Sequence, residues 1–129
     1  MPKPIVSFDF DDTLCMEDGT PNFPMMGLVH QFAADGYKCY IVTARNKAHE
    51  SFRWIMKNGG KRTRVKDFIR EYSLPIKQCH FTNHTPKGPV LKELGVSIHY
   101  DDHPEQIGSA EEHGIEARWA LSPDSAPEA

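Results

Sequence analysis

Ile5-Val-Ser-Phe-Asp-Phe-Asp-Asp-Thr13 is a short apolar run that ends in a cluster of carboxylates. Residues 5–10 are mostly apolar and lack helical spacing, as expected for a strand buried on both faces of a parallel sheet. The acids that follow mark a turn at its carboxyl end. Four further apolar runs resemble it: residues 38–43, 77–82, 96–100 and 115–121. Helical spacing fills the gaps between them. One helix begins near Pro24, places Met26, Leu28, Val29 and Phe32 on one face, and ends near Gly36. A second runs from about Lys47 to Lys57, with Phe52, Ile55 and Met56 expected inward, and stops at Asn58-Gly59-Gly60. Others are expected over 63–72, over 87–94 before Gly95, and over 104–113 before Gly114. This alternation predicts an α/β fold: a doubly wound, mainly parallel five-stranded sheet with helices on both faces and right-handed crossovers. Residues 1–122 form the expected domain and 123–129 a frayed tail.

Composition narrows the function classes. The chain has 129 residues, 39% apolar and 26% charged, which suits one globular domain rather than a disordered chain. A net charge of −3 excludes a uniformly basic nucleic-acid binder. No apolar run approaches the ~20 residues of a membrane helix. Met1-Pro-Lys-Pro4 leads directly toward the first strand without a signal-peptide pattern, and Cys15, Cys39 and Cys79 are too scattered for a disulfide framework. A reducing, cytoplasmic setting is the expectation. The charge is uneven, however: residues 45–77 carry a net +7 and the remainder −10. The basic stretch is a candidate surface for an anionic partner.

In open α/β sheets, ligands bind beyond the carboxyl ends of the strands. Asp9 and Asp11, Thr43, and Asp101 with Asp102 all fall there, and Lys87 opens the helix after the third strand. Paired carboxylates repel unless a cation joins them, and Mg²⁺ is the hard, oxygen-seeking ion that fits. An aspartate can also attack phosphorus while a neighbouring carboxyl moves the proton. A solvated Asx-rich turn is the alternative reading of the first cluster taken by itself. Four polar strand ends together are poorly explained by chance. Thr43 can donate to a phosphoryl oxygen or cap the next helix. Lys87 can neutralise a transferring phosphoryl group, with Lys92 competing for the role. Arg45 is a candidate auxiliary phosphate contact. The basic loop Lys57–Arg64, flanked by Trp54 and Tyr72, makes Lys61, Arg62 and Arg64 candidate contacts to a nucleotide or nucleic acid, against the alternative of an ordinary solvated loop. Cys79, His80 and His84 lack a fourth ligand for zinc, and Cys79 is expected in the core. His99 and His103 flank the acidic pair, with His103 a candidate substrate contact.

The ordered set Asp9-Phe-Asp-Asp-Thr-Leu14, Ile41-Val-Thr-Ala-Arg45, Lys87 and Ile98-His-Tyr-Asp-Asp102 resembles the haloacid dehalogenase superfamily of Mg²⁺-dependent phosphohydrolases, from Ile5 to about Leu121. That resemblance implies Asp9 as nucleophile, Asp11 as general acid and base, Thr43 on the phosphoryl oxygens and Lys87 steadying both. It implies Mg²⁺ held by Asp9, the backbone carbonyl of Asp11, Asp102 and, partly through water, Asp101. In the implied cycle Asp9 attacks in line while Asp11 protonates the leaving oxygen, and Asp11 then deprotonates the water that hydrolyses the aspartyl-phosphate. Only 29 residues separate Thr13 from Thr43, and 43 separate Thr43 from Lys87, so the resemblance is to a capless member. Such open sites suit a phosphate on a macromolecule, or need a partner to close them. A weaker likeness links the layout to the phosphatase domain of polynucleotide kinase-phosphatases, and Asp101-Asp-His-Pro-Glu105 to 5′-nucleotidases. A polynucleotide end or a nucleotide is the implied substrate. A receiver-like module is the main alternative, but its phospho-acceptor belongs at the end of the third strand, where Phe81-Thr-Asn83 stands. A non-catalytic binding module would leave paired acids unused and destabilising.

Overall fold

The computed structural model describes residues 2–125. Strands β1 (Ile5–Phe8), β2 (Lys38–Thr43), β3 (Ile76–Phe81), β4 (Ile98–Asp101) and β5 (Glu116–Trp119) alternate with helices α1 (Phe23–Ala34), α2 (Phe52–Lys57), α3 (Val65–Glu71), α4 (Gly88–Leu94) and α5 (Pro104–Glu112). The strands form one parallel sheet in the order β3-β2-β1-β4-β5. This is the expected doubly wound α/β architecture. The chain builds outward from β1 to β3, then crosses back to lay β4 on the other flank of β1. The β1–β4 seam is therefore the switch point, where a crevice opens beyond the strand ends.

Strand periodicity assigns the two faces. Val6 and Phe8 pair with Ile98 and Tyr100, and these join Cys39 and Ile41 in the larger core. Met25, Met26 and Val29 of α1, with Val65 and Phe68 of α3, complete it. Phe8 stacks on Tyr100 at 5.4 Å, and each fully buried aromatic of this kind contributes roughly 1.5–3 kcal/mol. On the opposite face Val42 packs with Leu91 of α4 and Ala110 of α5. Ser7 and His99 sit in register on β1 and β4, in the alternate phase to Phe8 and Tyr100.

Two expectations need correction. The helix over 47–57 is divided into a 3₁₀ turn, Lys47–Glu50, and the separate α2. Asn46 caps the first by accepting from the Ala48 amide at 2.9 Å, and Ser51, in extended backbone, caps the second by accepting from the Trp54 amide at 3.1 Å. Such side chains favour helix starts over helix interiors. The rotation that follows buries only Ile55, leaving Phe52 at 66% and Met56 at 59% exposure. Cys79 lies on β3, an edge strand, and is half-buried rather than enclosed. Asn22 ties the chain end to the body by donating to the Leu121 carbonyl at 2.8 Å. Of the expected tail, residues 126–129 lie outside the described residues. Among those described, no helix is long and apolar enough to cross a membrane.

Candidate active site

The residues singled out at the strand ends converge at the β1–β4 switch point. A cleft of about 310 Å³ is lined by Asp9, Asp11 and Asp12 after β1, Thr43 ending β2, Lys87 before α4, and Asp101 and Asp102 after β4. Lys87, 1% exposed, is the hub of the polar groups. Its Nζ lies 2.9 Å from Asp9 Oδ1 and 2.7 Å from Asp101 Oδ2. Gly88 lets it reach there: a Cβ at that position would run into the Ser109 carbonyl and the His113 ring and sit 2.7 Å from Ser109 Oγ, so only glycine lets α4 pack this closely on α5. The Lys87 amide donates to Gln106 Oε1 at 2.8 Å, pinning the helix start from a second side.

Asp101 is fully enclosed and spends its acceptor capacity on the protein. Oδ1 accepts from the amides of Asp102, at 2.9 Å, and His103, at 3.1 Å. Oδ2 accepts from Lys87 and, at 2.8 Å, from His99 Nε2. Burial pushes its carboxyl up, but the His99 hydrogen bond and the Lys87 charge overcome this and hold it at about 2. Asp9 goes the other way. Burial raises it well above the usual carboxylate range; Lys87 pulls it down, and the nearby Asp101 charge adds to the rise. Burial, helped by the Lys87 charge, lowers the His99 imidazole against the pull of Asp101.

Ligand atoms of Asp9, Asp101 and Asp102 lie within 4.8 Å of one another, the one such grouping among the described residues. Three carboxylates face a single ammonium, a deficit of positive charge that a hard divalent cation relieves. The donor set fits such an ion, and because Asp101 is saturated by four donors, the free oxygens belong to Asp9 and Asp102. Asp102 accepts a long hydrogen bond from Thr13, at 3.4 Å.

Asp11 is presented differently. Its carboxylate is half-exposed and gripped by Arg45, with Nε 2.8 Å from Oδ2 and NH2 2.8 Å from Oδ1. Arg45 is itself buried; NH1 donates to Glu50 Oε2 at 2.8 Å and to the Thr63 carbonyl at 2.7 Å. The sequence singled out Arg45 as a substrate contact, and the structure places it on Asp11. Lys61 and Arg62 line a second hollow, about 480 Å³, that joins the cleft through Asp11 and Asp12. Arg64 is not brought there: it lines a different, apolar-floored hollow against Val65, Ile69 and Phe81, and lies 3.5 Å from Asp67. Tyr72 packs on Phe68 against the core, whereas Trp54 stacks on His49 at 4.0 Å and lies beneath the Arg62 guanidinium of the basic loop.

The fold has solved counterparts. A chain of the Pnkp1/Rnl/Hen1 RNA repair complex superposes with a TM-score of 0.67 at 16% identity, covering 92% of this chain and 42% of that one. A second Pnkp1/Rnl/Hen1 structure gives 0.66 at 17% identity, covering 93% and 46%. At such identity the likeness is one of fold, and this chain spans less than half the length of either counterpart. No protein-family model matches the sequence, nor does any curated protein.

Three residues have a place at the site that the sequence does not assign them. His84 lines the cleft from a left-handed turn, Asn83 (φ 52°) and His84 (φ 62°), bound to the Arg45 and Ala44 carbonyls. Each such non-glycine residue costs on the order of 1 kcal/mol. The Asn83 side of that turn was the available signal, since asparagine tolerates this region. Gln106 carried none. His99, which the sequence marks only as flanking the acidic pair, is fully buried; its position two residues before Asp101, on the same strand face, is the signal.

Proposed function

We propose that this chain is a Mg²⁺-dependent phosphomonoesterase of the haloacid dehalogenase type, without a cap domain. The observation that carries this is the placement of Asp9: a buried carboxylate held 2.9 Å from the Lys87 ammonium, beside Asp101 and Asp102, at the mouth of the switch-point cleft. Asp9 attacks the phosphorus of a phosphomonoester in line, forming an aspartyl-phosphate as the ester oxygen leaves with a proton from Asp11. Asp11 then takes a proton from water, and the resulting hydroxide cleaves the acyl-phosphate, releasing phosphate and restoring Asp9. Each Asp11 oxygen keeps a second acceptor direction beyond its bond to Arg45, and the transferred proton is carried there. Thr43 and Lys87 meet the phosphoryl oxygens. Asp9, Asp102 and the Asp11 carbonyl would hold Mg²⁺, with Asp101 behind them, and the bound ion would neutralise charge between carboxylates and phosphoryl group.

A phosphate at a polynucleotide end, or on a nucleotide, is the substrate class we favour. Between β1 and β2 the only helix is α1, so nothing large covers the cleft from that connection. The hollow bearing Lys61 and Arg62 continues from it and offers cations to a phosphate backbone. The fold counterparts in an RNA repair complex support the same choice. The test is phosphate release from an aryl phosphate and from 3′- and 5′-phosphorylated oligonucleotides. Release should need Mg²⁺ and vanish in Asp9→Asn; full activity in excess EDTA would sink the proposal. Reversing the charge of Lys61 and Arg62 should weaken oligonucleotide turnover at low salt and spare the aryl phosphate.

A further inference from the structure

We propose that Ser7 and His99 are a buried positioning pair that fixes Asp101 and, through it, holds Lys87 against Asp9. This rests on the phosphatase reading above and extends it to residues that touch neither metal nor substrate.

The pair is built into the sheet. The parallel register sets Ser7 directly across from His99, and neither has any exposed surface. Ser7 Oγ lies 2.6 Å from His99 Nδ1, and His99 Nε2 lies 2.8 Å from Asp101 Oδ2. An ionised carboxylate only accepts, so Nε2 carries the ring proton. In the neutral ring Nδ1 is then bare and accepts from the Ser7 hydroxyl. Every donor in the chain has one acceptor: Ser7 to His99, His99 to Asp101.

The consequence falls on Lys87. Asp101 Oδ2 has two acceptor directions, and His99 occupies one. Lys87 Nζ takes the other, which is the side facing Asp9, and its remaining donors are left for Asp9 and a phosphoryl oxygen. Without His99, Oδ2 is free to accept Lys87 from the side away from Asp9. A packing role alone would be better met by an apolar side chain, because this face of the sheet is otherwise covered by Val42, Leu91 and Ala110. Partners that orient a site group from behind commonly alter activity by about 10–100-fold when removed.

The experiment compares His99→Leu, His99→Gln and Ser7→Ala with the wild-type protein, using an aryl phosphate at saturating Mg²⁺. His99→Leu should lower kcat about tenfold or more while KM changes less than twofold. His99→Gln retains an amide donor for Asp101 and should recover most of kcat even if its melting temperature falls as far as that of His99→Leu. Ser7→Ala should lower kcat by a few-fold alone and add nothing to His99→Leu. A kcat for folded His99→Leu within twofold of wild type, or a His99→Gln as slow as His99→Leu, overturns the pair. Imidazole ¹⁵N spectra provide a readout independent of turnover: a neutral ring protonated at Nε2 is expected, and one protonated at Nδ1 overturns the pair. An inactive wild-type protein overturns the phosphatase reading instead, and the spectrum then decides the pair by itself.

Discussion

Replacing Lys87 by Met keeps most of the buried stem and removes only the ammonium. In the native protein that group sits 2.9 Å from Asp9 and 2.7 Å from Asp101, with all three side chains nearly enclosed. Breaking a buried ion pair by deleting one partner typically costs about 3–5 kcal/mol. Here the protein has an escape: one carboxylate takes up a proton, and Asp9, already raised by burial, is the one to do so. Deleting the ammonium that pulls Asp9 down raises it further, and an acid whose folded value lies above its unfolded one binds protons on folding, so the variant gains more stability than the wild type as pH falls. The loss should therefore be about 3 kcal/mol near pH 7.5 and visibly smaller near pH 5. For a domain of this size, each kcal/mol moves the melting temperature by roughly 3–5 °C, which makes the shift about 10–15 °C at pH 7.5. Urea and thermal unfolding in EDTA, at both pH values, measure it. A loss below about 1 kcal/mol at pH 7.5, or one equally large at pH 5, would show that Lys87 does not balance these acids.

Gly88→Ala should destabilise by about 1–3 kcal/mol, although alanine is the better helix former, because the added methyl runs into Ser109 and His113. Thermal melts give the sign directly, and kcat should fall with them as Lys87 is displaced. Asp101 is held at about 2 in the folded protein, so its contribution is full above its ordinary value and lost as pH falls through about 2. The stability gap between wild type and Asp101→Asn should accordingly shrink by roughly 2 kcal/mol between pH 5 and pH 2 in urea titrations.

Much of the fold could be read from periodicity because the strands are nearly continuous apolar runs and the helices carry clear stops. The reading failed where polar capping competed with apolar spacing. Ser51 interrupts a stretch whose Phe52, Ile55 and Met56 looked like one helical face, and its cap hydrogen bond outweighs the pattern. At the site, Asp9, Thr43, Lys87, Asp101 and Asp102 were visible because each stands at the end of an apolar strand or the start of the next helix. The grip of Arg45 on Asp11 was not, since it depends on the 3₁₀ turn bringing Glu50 under the guanidinium. Nor was the separation of Arg62 from Arg64. Neighbours in sequence at the entry to α3 point to different hollows, and a charge count has no direction.

The strand order has a consequence for the growing chain. Asp9 is made before Lys87 and Asp101, the groups that balance it, and β4 must insert beside β1 across a separation of 92 residues before Ser7 meets His99. Closing so long a loop is slow compared with pairing β1 and β2. Until that step the half-built sheet has the Asp9 carboxylate with neither counter-charge nor cleft. On the proposed phosphatase function, turnover has to wait for that long-range pairing, so any activity measured reports molecules whose two halves have already closed on each other.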